Sequence, residues 1–235
     1  RIRNDQDRQH IPLQARVGLF HENLIEAAAL MEANIEEPLS LDEAYLDVSV
    51  PKQDLGSATA IAISIRDAIR EETHLTASAG IAPNKFLAKI ASDWNKPDGQ
   101  FVLKPAMVDA FLAPLAVGKL PGVGKVMEAK LAELGIATCA DLRAFGDDAL
   151  ERRFGRWGRR LHELSLGQDD HPVESERPTT QVSAEDTFAV DVPLEATTEA
   201  IERLAEKAWA AALRETDRSA RTVVLKLKTA DFRIL

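Results

Sequence analysis

The sequence contains a single cysteine, Cys139, so the chain can form no disulfide within itself. It also lacks any run of about 18 apolar residues, the length that a membrane-spanning helix needs. The first seven residues are polar and carry no apolar stretch of the kind found in secretory signals. These absences argue against a disulfide-stabilised secreted domain and against a membrane protein, and they predict a cytoplasmic location.

Basic residues are in the minority, with 29 Lys and Arg against 38 Asp and Glu and a formal net charge of −9. This balance argues against a protein that coats nucleic acid with its whole surface. Between Glu151 and Arg160 the balance reverses, because ten residues hold five arginines and one acid. Such a run is most often a solvated helix face, and the alternative is a local site for a polyanion.

Strand and helix patterns alternate over residues 38–115, which predicts an α+β domain. The predicted strands are 44–50, 76–82 and 100–104, and the predicted helices are 57–73, 83–94 and 105–115. Upstream, residues 21–35 have the spacing of a helix, and residues 1–20 look irregular.

The pattern changes near residue 116. Residues 116–170 show helical spacing interrupted by glycines, and residues 168–178 are polar and acidic like a linker. A strand near 182–189, a helix over 194–215 and a strand at 222–228 follow. The expected architecture is therefore α+β and multidomain: a mixed or antiparallel sheet with helices, an all-helical module, and a partial βαβ domain.

Asp42 and Glu43 are the first candidate site. Adjacent residues of a regular strand point to opposite faces, so two such carboxylates could share a metal only at a turn. Strands predicted at 35–39 and 44–50 would place both acids at the tip of a hairpin. Hard oxygen ligands of this kind suit Mg²⁺, although two solvated turn acids are the simpler interpretation.

Lys85 is the second candidate. A strand of small residues, 78–82, leads into a predicted helix whose first turn carries this lysine. A helix N-terminus with an ammonium group favours a phosphate. The spacing is not that of a Walker loop, and a lysine on an exposed helix face is an equally good interpretation.

The third candidate is Leu120-Pro121-Gly122-Val123-Gly124-Lys125, between two predicted helices. Two glycines spaced in this way can present backbone N–H groups to one DNA phosphate without reading sequence. Lys125 and Lys130 would add positive charge. The pattern is that of a helix–hairpin–helix, with a plain connecting turn as the alternative.

In this order the three motifs resemble those of the Y-family translesion DNA polymerases, in particular the bacterial polymerase IV branch. The resemblance extends from Pro38 to Leu235, and its most specific parts are residues 40–47, 79–93, 95–99 and 120–125. It implies a palm over residues 1–115 and a helical thumb with a helix–hairpin–helix over 116–170. A linker over 171–180 and a partial little-finger DNA-binding domain over 181–235 complete the implied layout.

The resemblance also implies error-prone, template-directed DNA synthesis in translesion synthesis and repair, by nucleotidyl transfer with two Mg²⁺ ions and a dNTP. Asp42 and Glu43 would be the catalytic, metal-binding acids, and Lys85 would contact the triphosphate. The residues implied in binding primer–template DNA are Gly122, Gly124, Lys125, Lys130, Arg152, Arg153 and Arg156. The family also binds a sliding clamp through a C-terminal motif that this sequence does not contain, and a monomer without membrane contact is expected.

Residues 1–37 show no counterpart of the family's first strand, with its Asp-x-Asp pattern, or of its fingers. Asp5-Gln6-Asp7 has those letters but no strand-like or aromatic neighbours. The chain is therefore expected to be shortened at both ends and to be weak or inactive in primer extension. The alternative is a non-catalytic DNA-binding relative that acts as an accessory or scaffold in damage tolerance. A generic helix–hairpin–helix repair module would leave the acids unexplained.

Overall fold

The computed structural model describes residues 14–18, 35–40, 43–49, 56–174, 179–215, 219–231 and 233–234. The chain divides into two compact units, residues 1–176 and residues 177–235. Each unit is described separately below.

The first unit contains a five-stranded mixed sheet. Its strands are β1 (Gln14–Gly18), β2 (Ile35–Ser40), β3 (Glu43–Asp47), β4 (Ser78–Ala82) and β5 (Gln100–Val102). The spatial order is β2-β3-β1-β4-β5. Neighbouring strands are antiparallel except β4 and β5, which are parallel. The expected mixed sheet is therefore present.

Strand β1 corrects the expectation that residues 1–20 are irregular. It lies between β3 and β4, so that Ala15 pairs with Leu46 on one side and with Ile81 on the other. Five residues with a single β-branched side chain, Val17, give little local signal, and the pairing on both sides makes them a strand. The predicted helix over residues 21–35 is wrong at Ile35, which begins β2, and its remainder lies outside the described residues.

Strands β2 and β3 form the antiparallel hairpin that the sequence predicts. Pro38 pairs with Ala44 and Ser40 with Glu43, with an irregularity between Pro38 and Ser40. Glu43 is consequently the first residue of β3. Asp42 precedes it in sequence and lies outside the described residues.

Two helices cover the sheet. Helix α1 (Ala58–Thr73) begins after the N-cap Ser57, and it buries its predicted apolar face against the strands. Helix α2 (Lys85–Trp94) packs on β4 so closely that a Cβ at Gly80 would collide with the backbone of Ala88 and Ser92. The small residues of β4 therefore allow the close contact with α2.

The helical part of the first unit follows β5. A 3₁₀ turn (Pro105–Met107) and the short α3 (Val108–Leu112) stand where one helix over 105–115 was predicted. The next elements are a 3₁₀ turn (Val117–Lys119), α4 (Lys125–Ala132), α5 (Cys139–Phe145), α6 (Asp147–Phe154) and α7 (Arg156–Ser165). Buried leucines of these helices share one apolar core with α2, which fixes the helical part against the sheet.

The second unit contains a 3₁₀ turn (Leu194–Thr197) and α8 (Thr198–Ala212), in agreement with the predicted helix. The strands predicted at 182–189 and 222–228 were wrong, because neither stretch is a strand among the described residues. Lys228 and Ile234 form an isolated bridge, and Val223 is 94% exposed. β-branched composition favours a strand, but a strand also needs hydrogen bonds from a neighbour. Throughout the part of the chain that the structure describes, no helix has the length and apolar character to cross a membrane.

Candidate active site and nucleic-acid interface

The β2–β3 hairpin carries Glu43 to the side of α2. The Glu43 carboxylate accepts a hydrogen bond from Lys89 Nζ at 2.7 Å, and its side chain is 26% exposed. Lys89 also lies 3.4 Å from Asp93. Burial raises the pKa of Asp93, but its hydrogen bond with Lys96 and the charge of Lys89 outweigh this, so the pKa falls below the ordinary carboxyl value. The Asp93 carboxylate is therefore ionised at neutral pH.

Lys85 is buried, which rules out the interpretation of an exposed lysine on a helix face. Its Nζ donates to Oε2 of Glu37, in β2, at 2.6 Å, and only 9% of the lysine side chain and 1% of the glutamate side chain are exposed. The ammonium also lies 5.4 Å from the centre of the Tyr45 ring, a cation–π distance. The hairpin therefore encloses Lys85 on two sides.

Two acids of the hairpin thus face two lysines of α2. Lys85 and Lys89 are four residues apart and lie on the same face of the helix, where Glu37 and Glu43 meet them. Within the described ranges, no group of three His, Cys, Asp or Glu side chains is arranged to hold a metal. Of the two predicted metal-binding acids, the structure describes only Glu43, which offers carboxylate oxygens of the kind that Mg²⁺ prefers.

The segment that follows α7 is bound to the start of α2. Gly167 accepts a hydrogen bond from the side-chain amide of Asn84 at 2.8 Å, and Asp169 accepts one from the backbone N–H of Phe86 at 3.2 Å. The backbone N–H of Glu174 donates to Glu37 at 3.1 Å. The end of the helical part therefore contacts the start of α2 and Glu37 of the β2–β3 hairpin.

The hairpin before α4 carries the two glycines that the sequence predicts to bind a DNA phosphate. Gly122 has a positive φ of 85°, and Gly124 is the N-cap of α4 with a φ of −85°. The first N–H groups of a helix have no acceptor within the helix, so they can bind an anion. Among the described residues other than its chain neighbours, none has an atom within 4 Å of a Cβ built on Gly124. Lys125 follows with a side chain that is 97% exposed.

The arginine-rich run lies beside this hairpin. A Cβ at Gly122 would approach the ring of Trp157, in α7, to 2.6 Å. Arg152, Arg153 and Arg156 are exposed, as is Lys130. Arg159 and Arg160 instead pair with acids, Glu151 and Asp169 among them. The structure therefore brings the hairpin and the start of α7 together through Trp157.

Comparisons with known proteins agree along the chain. Residues 9–93 match the impB/mucB/samB family, residues 118–169 the thumb domain of DNA polymerase-iota, and residues 179–235 the C-terminal domain of the impB/mucB/samB family. DNA polymerase IV from Stenotrophomonas maltophilia (strain K279a) is 61% identical over 211 residues, which are 90% of this chain and 58% of that protein. The chain belongs to the Y-family of DNA polymerases.

Further Y-family relatives agree. DNA polymerase IV from Xanthomonas campestris pv. campestris (strain 8004) is 59% identical over 86% of this chain and 56% of that protein. A solved Y-family DNA polymerase chimera built from Dbh and Dpo4 superposes with a TM-score of 0.73 at 27% identity, over 91% of this chain and 62% of the chimera. The chain thus has the Y-family fold with a helix–hairpin–helix thumb. It spans somewhat more than half the length of these curated relatives.

The family match corrects one expectation about the N-terminal part. It begins at residue 9, so the expectation that residues 1–37 resemble nothing in the family is wrong for residues 9–37. Strand β1, the central strand of the sheet, lies within this matched range.

Sequence reasoning missed three residues of these sites. Glu37 is separated from Lys85 by 48 residues, and Lys89 from Glu43 by 46; both pairs depend on α2 packing against the sheet. The available signal was the spacing of Lys85 and Lys89, which are four residues apart and therefore lie on one face of α2. Trp157 gave none, because an aromatic residue inside an arginine-rich helix does not indicate which turn it contacts.

Proposed function

We propose that this chain is the core of an error-prone, template-directed DNA polymerase that acts in translesion synthesis and DNA repair. The 61% identity to a DNA polymerase IV supports this proposal most strongly. Residues 1–115 would form the palm, 116–170 the thumb, 171–180 a linker, and 181–235 part of the little finger.

Glu43 and Asp42 would hold the metal ions, and Lys85 would contact the triphosphate of the incoming nucleotide. When bound, two Mg²⁺ ions would activate the primer hydroxyl and stabilise the departing pyrophosphate. Lys89 lies 2.7 Å from Glu43 and balances its charge. Asp42 and Glu43 together would hold two such ions less firmly than a larger oxygen set would, and we propose that this chain extends primers weakly.

The helical part would hold duplex DNA by its phosphates. Gly122 and Gly124 present backbone around the start of α4, and Lys125 projects into solvent beside them. Lys130, Arg152, Arg153 and Arg156 would add charge from the neighbouring exposed surface. Contacts of this kind are indifferent to sequence and weaken steeply as salt rises.

Primer extension tests the catalytic part. The product of the complete reading frame is assayed on a primed template with dNTPs and Mg²⁺, beside Glu43→Ala. We expect Glu43→Ala to reduce extension by about 100-fold or more, since misplacing a reacting group by about 1 Å costs that much. Asp109→Asn is the matched control, because it removes an exposed carboxylate that pairs with Arg143 on the helical part, and it should extend like the parent.

DNA binding is measured in parallel with a fluorescein-labelled primer–template duplex at several salt concentrations. Extension that is unaffected by Glu43→Ala would refute the assigned acid. Salt-sensitive binding without Mg²⁺-dependent extension would instead favour a non-catalytic DNA-binding relative. This second candidate is supported by the ion pairs that Glu43 and Lys85 already form with neighbouring side chains of the protein.

A further inference from the structure

The hairpin before α4, residues 120–125, is anchored to the core at two points. Leu120 and Val123 are buried, and the N–H of Val123 donates to the carbonyl of Leu120 at 3.0 Å. Gly122 lies between them with a φ of 85°, and glycine can adopt more backbone conformations than any other residue. The direction in which the hairpin presents its backbone N–H groups therefore depends on what restrains Gly122.

The indole ring of Trp157 supplies this restraint. Apart from the chain neighbours of Gly122, the three described atoms nearest to a Cβ built on it all belong to that ring, at 2.6, 2.9 and 3.7 Å. The ring also packs against the buried core of the helical part. Gly158, the next residue, lets α7 approach α6 so closely that a Cβ there would collide with the carbonyl of Leu150. The packing of α7 on α6 therefore holds the ring in place.

The start of α4, at the other end of the hairpin, is open. In the part of the chain that the structure describes, only the chain neighbours of Gly124 come within 4 Å of a Cβ built on it. The side chain of Lys125 is 97% exposed, so a phosphate can approach both residues. A segment that is ordered before binding pays less conformational entropy when it binds. A hairpin that Trp157 holds still should therefore bind a phosphate more tightly than a mobile one.

We propose that Trp157 is a positioning residue for the binding of duplex DNA and that it acts through the hairpin. This inference rests on the proposed function, in which the hairpin holds a phosphate of the DNA. The ring keeps Gly122 in its positive-φ conformation, so the start of α4 meets the phosphate without rearranging.

The test is a double-mutant cycle on the binding of a fluorescein-labelled primer–template duplex by the full chain. Fluorescence anisotropy gives Kd between about 50 and 200 mM salt. One phosphate contact adds about 0.9 to the slope of log Kd against log salt, which is about 15-fold in Kd at 50 mM and about 4-fold at 200 mM, relative to 1 M salt. We expect Trp157→Leu and Gly124→Val each to raise Kd by these factors. The double variant should bind no more weakly than either single variant, because both lose the same contact.

Two further variants separate positioning from folding. Trp157→Phe keeps an aromatic ring beside Gly122 and should recover most of the parent affinity and salt slope. Trp94→Leu removes an exposed ring that contacts Phe101 and Phe111, away from the hairpin, and should leave both quantities unchanged. Urea unfolding shows that each variant is folded under the conditions of the binding assay. A merely structural role for Trp157 would lower stability and leave the salt slope as it is in the parent.

The possible outcomes distinguish this role from the proposed function. If Gly124→Val weakens binding but Trp157→Leu leaves Kd or its salt slope unchanged, the positioning role is refuted and the proposed DNA contact stands. The same conclusion follows if the effects of the two substitutions add independently. If the parent chain shows no salt-sensitive binding of the duplex, the proposed DNA contact is refuted together with the role of Trp157.

Discussion

The substitution Gly122→Ala adds a single methyl group, and we expect it to destabilise the first unit by about 2–4 kcal/mol. Gly122 has a φ of 85°, and an L-residue in left-handed backbone costs about 1–2 kcal/mol. The new Cβ would also lie 2.6 Å and 2.9 Å from two ring atoms of Trp157. Relieving such a contact in a packed region typically costs about 1–3 kcal/mol. Because the Trp157 ring can move partly aside, we expect the total cost to stay below the sum of the two upper values.

Urea unfolding measures this change, with tryptophan fluorescence as the signal. A lower midpoint with an unchanged slope identifies a loss of stability and not a change in the unfolded state. Gly124→Ala is the matched control, since Gly124 has a φ of −85° and no described residue other than its chain neighbours has an atom within 4 Å of its added Cβ. We expect the control to lose at most about 1 kcal/mol, because Ala is a poorer N-cap than Gly.

Replacing Trp157 tests the origin of the loss. In the Trp157→Leu background the collision is removed and the backbone cost remains, so Gly122→Ala should then cost only about 1–2 kcal/mol. If Gly122→Ala unfolds within about 0.5 kcal/mol of the parent, the hairpin does not have the described conformation and the reasoning fails.

Three further predictions concern the hairpin, the core and acid stability. Gly124→Val should weaken duplex binding in fluorescence anisotropy while the protein stays folded, because its side chain enters open space beside the phosphate-binding turn; unchanged affinity would make the hairpin a structural turn only. Cys139 is fully buried and burial raises its pKa to about 11, so a thiol reagent at pH 8 should label it only after urea is added, and rapid labelling of the folded protein would contradict its burial. The pKa of Asp169 is lowered, because hydrogen bonds from His171 and Arg160 outweigh the opposing effect of burial. Its stabilising contribution is therefore complete above the ordinary value of 3.8 and is lost as pH falls through the folded pKa; Asp169→Asn should lower stability near neutral pH and flatten its acid dependence, and a parallel pH profile would refute this.

The sequence predicted the elements whose signals are local. Helix α1 follows from isoleucines at helical spacing after the N-cap Ser57, and the β2–β3 hairpin follows from two strand patterns around a short acidic turn. The glycine pair before α4 likewise indicated a turn between helices. Periodicity and turn residues act over a few positions, so the sequence alone carries this information.

The same reasoning failed where a segment depends on its neighbours. Strand β1 is short and has a weak local signal, and it exists because β3 and β4 pair with it. Residues 222–228 have β-branched composition but no strand geometry in the described part of the second unit. In both cases hydrogen bonds from another segment decide the outcome, and composition does not specify them.

The candidate site shows the same division. Asp42, Glu43, Lys85 and the hairpin glycines could be chosen from the sequence, because their residue types and spacing suit metal and phosphate chemistry. Only the tertiary structure decided that Lys85 is buried against Glu37 and that Trp157 packs on Gly122. These contacts join residues far apart in the chain, and they form because helices pack on the sheet and on each other to bury apolar surface. The order of residues therefore specified which groups are available, and packing specified which of them meet.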